Sequence, residues 1–312
     1  MIIFDALQSV LSIIIIIGIG YLLTRKGWFD EATGRLFTRI VINVSLPAMM
    51  LSNMMNTFDR EALISGIEGV VIPFASILIS FGISIAVSYM LHIEKNRRGI
   101  FQTMFFSSNT IFMGMPVNTA LFGEQSTPYV LLYYIANTTL FWTLGIYLLQ
   151  RDGGKRERRL FSMDTVKGIF SPPLMGFLLA FVLIMLDIKL PSFAMDTAKY
   201  LGNITTPLSL LFIGITFSSI SLKDIHFSRD MFAILAGRFL IAPFIVIILS
   251  NVMGIPWIMK AVFTIQAAMP IATQVSIVSK AYDADYQYAT VMVTITTTAT
   301  IIFIPICRAL LG

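Results

Sequence analysis

The sequence predicts an all-α membrane protein: ten transmembrane helices arranged as two inverted five-helix repeats, with a broken helix in each repeat and the two breaks crossing. Three observations carry that expectation. Of 312 residues, 56% are hydrophobic and 12% charged, about half the charge of an ordinary soluble domain, so polar residues could not cover a globule of this size. The apolar residues gather into ten runs, each near the roughly 20 residues that span a bilayer. Short motifs then recur in the same order in both halves.

The runs fall at 6–24, 36–56, 65–91, 99–122 and 128–149, then at 166–186, 194–219, 231–252, 257–280 and 286–311. All are too long for strands. Residues 1–150 form the first repeat, 151–165 a basic linker containing Arg-Asp-Gly-Gly-Lys-Arg-Glu-Arg-Arg, and 166–312 the second repeat. Ten spans leave about 110 residues for connections and ends, too few for a soluble catalytic domain. The opening Met1-Ile-Ile-Phe-Asp5 lacks the basic region and cleavage site of a signal peptide, so the first run is expected to be retained.

Alternate connections differ in charge. Of the 22 Lys and Arg, sixteen fall on one side of this segmentation, five on the other, and Arg238 inside the eighth run. The richer side is expected to be cytoplasmic, which puts both termini outside the cell membrane. The net charge of +5 is then a topology signal. The basic linker lacks the interleaved aromatics of a nucleic-acid patch, and no nucleic-acid partner is expected.

The internal repeat rests on three pairings. Asn43-Val-Ser-Leu-Pro47 in the second run matches Asn203-Ile-Thr-Thr-Pro207 in the seventh. Met115-Pro116-Val-Asn-Thr119 in the fourth matches Met269-Pro270-Ile-Ala-Thr273 in the ninth. Asn137-Thr-Thr139 in the fifth matches Thr296-Thr-Thr298 in the tenth. Five helices per repeat is an odd number, so the second repeat is inverted. Asn43, Asn137 and Asn203 also fit the glycosylation pattern, but at membrane depth they are out of reach of that chemistry.

The fourth and ninth runs are expected to break, at Gly114 and Pro116 and at Pro270, because proline lacks a backbone donor and clashes with the preceding turn. Unwound chain at membrane depth needs polar partners. Asn109, Thr110, Asn118 and Thr119 flank the first break; Gln266, Thr273 and Gln274 flank the second. A new half-helix beginning near Val117 and near Ile271 would offer amide ends, which favour an anion. The carbonyl ends of the first halves would oppose that preference.

Arg238 lies nine residues, about 13.5 Å of helix, inside the eighth run from Arg229. It is either a counter-charge for a carboxylate or a side chain that snorkels to the headgroups. No acid lies mid-span: Asp5, Glu68, Glu124 and Asp187 are at run ends. Coupling through a buried carboxylate is therefore not visible, and coupling by H+ or Na+ stays open. One cysteine, Cys307, excludes a disulfide framework or a cysteine-based metal site. No cofactor, metal or nucleophile–base pair is expected, so the chain is not read as an enzyme.

Asn109-Thr-Ile-Phe-Met-Gly114-Met-Pro116 and Ala267-Ala-Met-Pro270, the latter followed by Lys280-Ala-Tyr282 and Asp285, resemble the two crossovers of the auxin efflux carrier family, and Leu46-Pro47 agrees. The resemblance spans the chain. It implies a ten-helix carrier with the fold of bile-acid symporters and sodium/proton antiporters. Helices one, two, six and seven would form a scaffold that can dimerise, and three to five and eight to ten a moving transport domain. Bacterial members are organic-acid permeases, and the short linker here fits them better than the plant carriers. The expected substrate is a small organic anion, a mono- or dicarboxylate such as malate or malonate, moved by alternating access in a lipid membrane. Its expected contacts are Asn109, Thr110, Gly114, Pro116, Asn118, Gln266, Pro270, Thr273 and Gln274, with Arg238 behind them. The alternatives are an aromatic-acid carrier of the auxin type and an anion channel or sensor on the same fold.

Overall fold

A computed structural model describes residues 15–57, 60–61, 68–154, 172–218 and 228–311. Residues 6–14 of the first run, 155–165 of the basic linker and 166–171 of the sixth run lie outside them. Every regular element among the described residues is helical, apart from one isolated antiparallel bridge between Ser108 and Ile271.

In chain order the helices are α1 (Ile15–Arg25), α2 (Glu31–Asn56), α3 (Val71–Met90), α4 (Arg98–Phe106), α5 (Thr110–Phe122), α6 (Glu124–Asp152), α7 (Pro172–Met185), α8 (Ser192–Ser218), α9 (Arg229–Met253), α10 (Trp257–Ala267), α11 (Gln274–Ala281) and α12 (Tyr286–Leu310). Among them α2, α3, α6, α8 and α9 are long and apolar enough to cross a membrane, and α12 is a sixth when its two arms are taken together. The fourth run is split into α4 and α5, and the ninth into α10 and α11.

Prolines explain much of this geometry. Pro73, Pro128, Pro172, Pro173 and Pro207 stand in the first turn of a helical stretch, where a missing donor costs nothing. Pro47, Pro116 and Pro243 lie further along a helix, and each follows a five-residue π-helical turn, at Val41–Ser45, Thr110–Gly114 and Gly237–Ile241. The carbonyl that a proline ring would strike, four residues back, falls inside that widened turn in all three cases. The chain thus absorbs these prolines instead of breaking. Pro305 is inside α12 without such a turn, and the arms Tyr286–Thr300 and Ile302–Arg308 meet at 50°, the kink expected of an interior proline.

The chain divides into two compact units. The first comprises residues 1–69, 111–132 and 170–220, and so holds α1, α2, α7, α8 and most of α5. Its helices approach closely through glycines: a Cβ on Gly176 would lie 2.6 Å from the Pro47 backbone, and one on Gly214 only 2.3 Å from the Ile17 carbonyl oxygen. Such small-residue contacts let helices associate where no water drives them together. The Asn53 amide donates to Thr127 Oγ1 at 3.1 Å in the same unit.

The second unit comprises residues 70–110, 133–169 and 221–312, with α3, α4, most of α6 and α9 to α12. Its core gathers Phe101, Phe105, Phe141, Ile234, Ile271 and Met292. Every residue of α4 from Gly99 to Phe106 is buried, as is α10 from Ala261 to Ala267. Two short helices therefore stop inside this unit, and their ends must be satisfied there.

Candidate functional site: the paired interruptions of the second unit

A helix leaves its last carbonyl groups without partners, and inside a membrane protein no bulk water supplies them. After α4 the chain runs extended through Ser107, Ser108 and Asn109; after α10 it is non-helical from Ala268 to Thr273. The two stretches pair antiparallel. Asn109 N–H donates to the Pro270 carbonyl at 2.8 Å, and Ala272 N–H to the Ser107 carbonyl at 3.4 Å. Pro270 has no N–H of its own, so this pairing uses only its carbonyl.

Two long helices clamp the pair. Asn137 of α6 accepts from Ser108 N–H through Oδ1 at 2.9 Å and donates from Nδ2 to the Ser108 carbonyl at 3.0 Å. Thr296 of α12 accepts from Ile271 N–H at 3.3 Å. These are the residues that open the paired motifs of the fifth and tenth runs. They were legible as repeat markers, but nothing in the sequence named them as clamps. Ser108 and Ser107 had no sequence signal at all.

Arg238 lies in the π turn of α9 and is 0% exposed. Its side chain does not run to the headgroups. Nε donates to the Met269 carbonyl at 3.1 Å, Nη1 to the Phe105 carbonyl at 3.3 Å, and Nη2 to the Ala267 and Met269 carbonyls at 2.8 and 2.6 Å. Nη2 also donates to Ser108 Oγ. One guanidinium thus holds the carbonyl ends of both α4 and α10, and Tyr133 is buried beside it. Gly237 makes this possible, because a Cβ there would meet the Phe105 ring at 2.4 Å.

Gln266, fully buried at the end of α10, donates from Nε2 to the Thr110 carbonyl at 3.2 Å. Its Oε1, and Ser107 Oγ, are buried with no hydrogen-bond partner among the described residues. Two unused polar atoms thus lie at the ends of the interrupted helices.

The sequence pattern of the membrane transport protein family matches residues 5–308. The chain belongs to that family, the auxin efflux carriers. This transporter is 24% identical to an uncharacterized transporter of Methanothermobacter thermautotrophicus over the full length of both chains. It is also 24% identical to one of Methanocaldococcus jannaschii over 96% of each, and 22% identical to one of Escherichia coli over 68% of each. It is a multi-pass membrane transporter.

Of the residues the sequence singled out, the second unit brings together Asn109, Thr110, Gln266, Pro270 and Arg238. Thr273 and Gln274 open α11, half-buried and exposed. Gly114, Pro116 and Asn118 belong to the other unit, where Asn118 Nδ2 donates to the Gly114 carbonyl at 2.7 Å. The first break is not at Gly114 and Pro116 but at Ser107–Asn109. The π turn carries the helix past Pro116, so α5 begins at Thr110, not near Val117. After Pro270 the helix resumes at Gln274, not near Ile271.

Proposed function

We propose that the protein is a secondary transporter that moves a small organic anion, a mono- or dicarboxylate such as malate or malonate, across the cell membrane by alternating access. The observation that carries this reading is the pair of interrupted helices bound to one another within a single compact unit of a transporter-family chain. Helices broken at membrane depth are where secondary carriers hold their cargo. The amide end of α11 at Gln274 favours a carboxylate, with Asn109, Thr110, Thr273, Gln274 and Gln266 as polar contacts.

In this reading the chain crosses the membrane ten times, α4 with α5 and α10 with α11 each making one crossing, as two inverted repeats with both termini outside. The loop charges support that orientation. The contact division supports an elevator: α1, α2, α7 and α8 form a scaffold that can dimerise, and the unit with the paired interruptions carries the substrate. Most of α5 clusters with the scaffold helices, so the moving part is smaller than a clean grouping of spans would make it.

The test is uptake by the purified protein in liposomes, with radiolabelled acetate, malonate, malate and indole-3-acetate under separately imposed pH, sodium and voltage gradients. Saturable uptake with counterflow of one of these acids is expected, and Asn109→Ala is expected to lower it at least tenfold in folded, inserted protein. Non-saturable flux without counterflow would make the protein a channel. No flux of any of the four acids would overturn the substrate class.

A further inference from the structure

Beyond the end of α2 and around the end of α7, the first unit holds a cleft of about 580 Å³, within the size range of ligand pockets. Its wall carries two cations, Arg60 and Lys189, two carboxylates, Glu61 and Asp187, and an apolar side that includes Ile184 and Ile188. Among the described residues none of the four charged groups forms an ion pair. The cleft therefore offers acceptors and donors of full charge that the fold does not use.

One of those carboxylates stands where the backbone would rather have glycine. Asp187 N–H donates to the Ile184 carbonyl at 3.1 Å and Ile188 N–H to the Leu183 carbonyl at 2.9 Å, the paired bonds that close a helix through a left-handed residue. That residue is Asp187, with φ of 52°, a conformation that a Cβ disfavours. The same pair of bonds ends α1, from Gly27 to Thr24 and from Trp28 to Leu23, and there glycine holds the left-handed place. The turn after α7 thus needs no side chain, and its carboxylate lines the cleft instead.

Two positive and two negative charges sum to zero, so a ligand that satisfies all four carries both signs. The cleft also lies where apolar helix gives way to charged chain, the depth of lipid headgroups. We propose that it binds a phospholipid whose zwitterionic headgroup ends in a primary ammonium, phosphatidylethanolamine, with the phosphate on Arg60 and Lys189, the ammonium on Glu61 and Asp187, and an acyl chain along Ile184 and Ile188. An ammonium brings three N–H donors to the two carboxylates, whereas a choline headgroup brings none. A glycerol headgroup brings no cation and sets its phosphate charge against Glu61 and Asp187.

The test titrates delipidated protein in detergent with dioleoyl phosphatidylethanolamine, phosphatidylcholine and phosphatidylglycerol, counting bound lipid by native mass spectrometry. Phosphatidylethanolamine is expected to bind at least fivefold more tightly than either of the others. Glu61→Gln with Asp187→Asn should bring its affinity to that of phosphatidylcholine, asparagine being chosen because it tolerates the left-handed backbone. Arg60→Gln with Lys189→Gln should weaken all three lipids. Asp187→Gly separates the site from the fold: relief of the backbone should raise the unfolding temperature of lipid-free protein, while the preference for phosphatidylethanolamine falls. A purely structural Asp187 would leave that preference intact.

Equal affinity for the three lipids would overturn the proposal, as would tightest binding of phosphatidylglycerol, which marks a site for anionic headgroups. A preference that survives loss of both carboxylates would place the lipid elsewhere. If the substitutions leave lipid binding unchanged but abolish a dimer, a second copy of the chain is the occupant and the proposal fails. No step of the test uses a transported acid, so its outcome is independent of the transport reading above.

Discussion

The interruption after α4 is three residues long and that after α10 is six, and the two are held by different chemistry. Ser108 has both backbone groups matched by a single neutral amide, that of Asn137. Ala267 and Met269 instead give their carbonyls to a cation, and Ile271 N–H rests on the one hydroxyl of Thr296. The short stretch is a fixed point because an amide supplies donor and acceptor together. The long one contains Pro270, which can only accept, so its surplus of carbonyls calls for a pure donor, and arginine is the richest available. The difference explains why the cation's closest carbonyl contacts are with the long stretch, although it also reaches Phe105 and Ser108 on the short side.

The largest test of that contrast is Asn137→Leu. It leaves the Ser108 N–H buried and unpaired, at about 1–3 kcal/mol, and takes from its carbonyl one bond worth about 0.5–1.5 kcal/mol, with Thr110 N–H as the remaining partner, so a loss of about 1.5–4.5 kcal/mol is expected in thermal unfolding of the detergent-purified protein. Asn137→Asp keeps the acceptor alone and should fall between the two. Should Asn137→Leu unfold at the parent temperature, the clamp contributes nothing and the short stretch is held by its partner strand.

A smaller loss is expected on the other side. Thr296→Val removes one acceptor from Ile271 N–H, at about 1–3 kcal/mol, and Thr296→Ser should restore the parent value because the hydroxyl is all that the bond needs. Failure of serine to rescue would show that the methyl packing of Thr296, not its hydroxyl, supports the long stretch.

The same contrast marks what could be read in the sequence. The runs that became helices were legible because lipid demands long apolar stretches, and the pairing of Asn137-Thr-Thr139 with Thr296-Thr-Thr298 was visible as a repeat. The break after Phe106 was not. Gly114 and Pro116 carry the strong local signal, whereas Ser107-Ser108-Asn109 would pass as helix; their extended backbone is imposed by Asn137, 29 residues away, and by the strand at Pro270. Pro116 misled because a π turn can absorb a proline, and nothing local announces it. Arg238 stood out as a buried charge, but its acceptors are carbonyls 29 to 133 residues distant, which belong to every residue and leave no trace in side-chain pattern.

The smallest expected effect calibrates the rest. Ser228 caps α9, accepting from Met231 N–H at 3.2 Å, ten residues before Arg238 and about 15 Å along the helix. Ser228→Ala should cost about 1 kcal/mol, as losing such a cap usually does. If the interrupted stretches respond only to their own clamps, this variant lowers the unfolding temperature slightly and leaves KM for malonate uptake unchanged. Destabilisation of the second unit is then separable from damage to the site. A change in KM in Ser228→Ala would mean that α9 transmits strain along its length to the π turn, and the losses at Asn137 and Thr296 would have to be read as global loosening rather than as broken clamps.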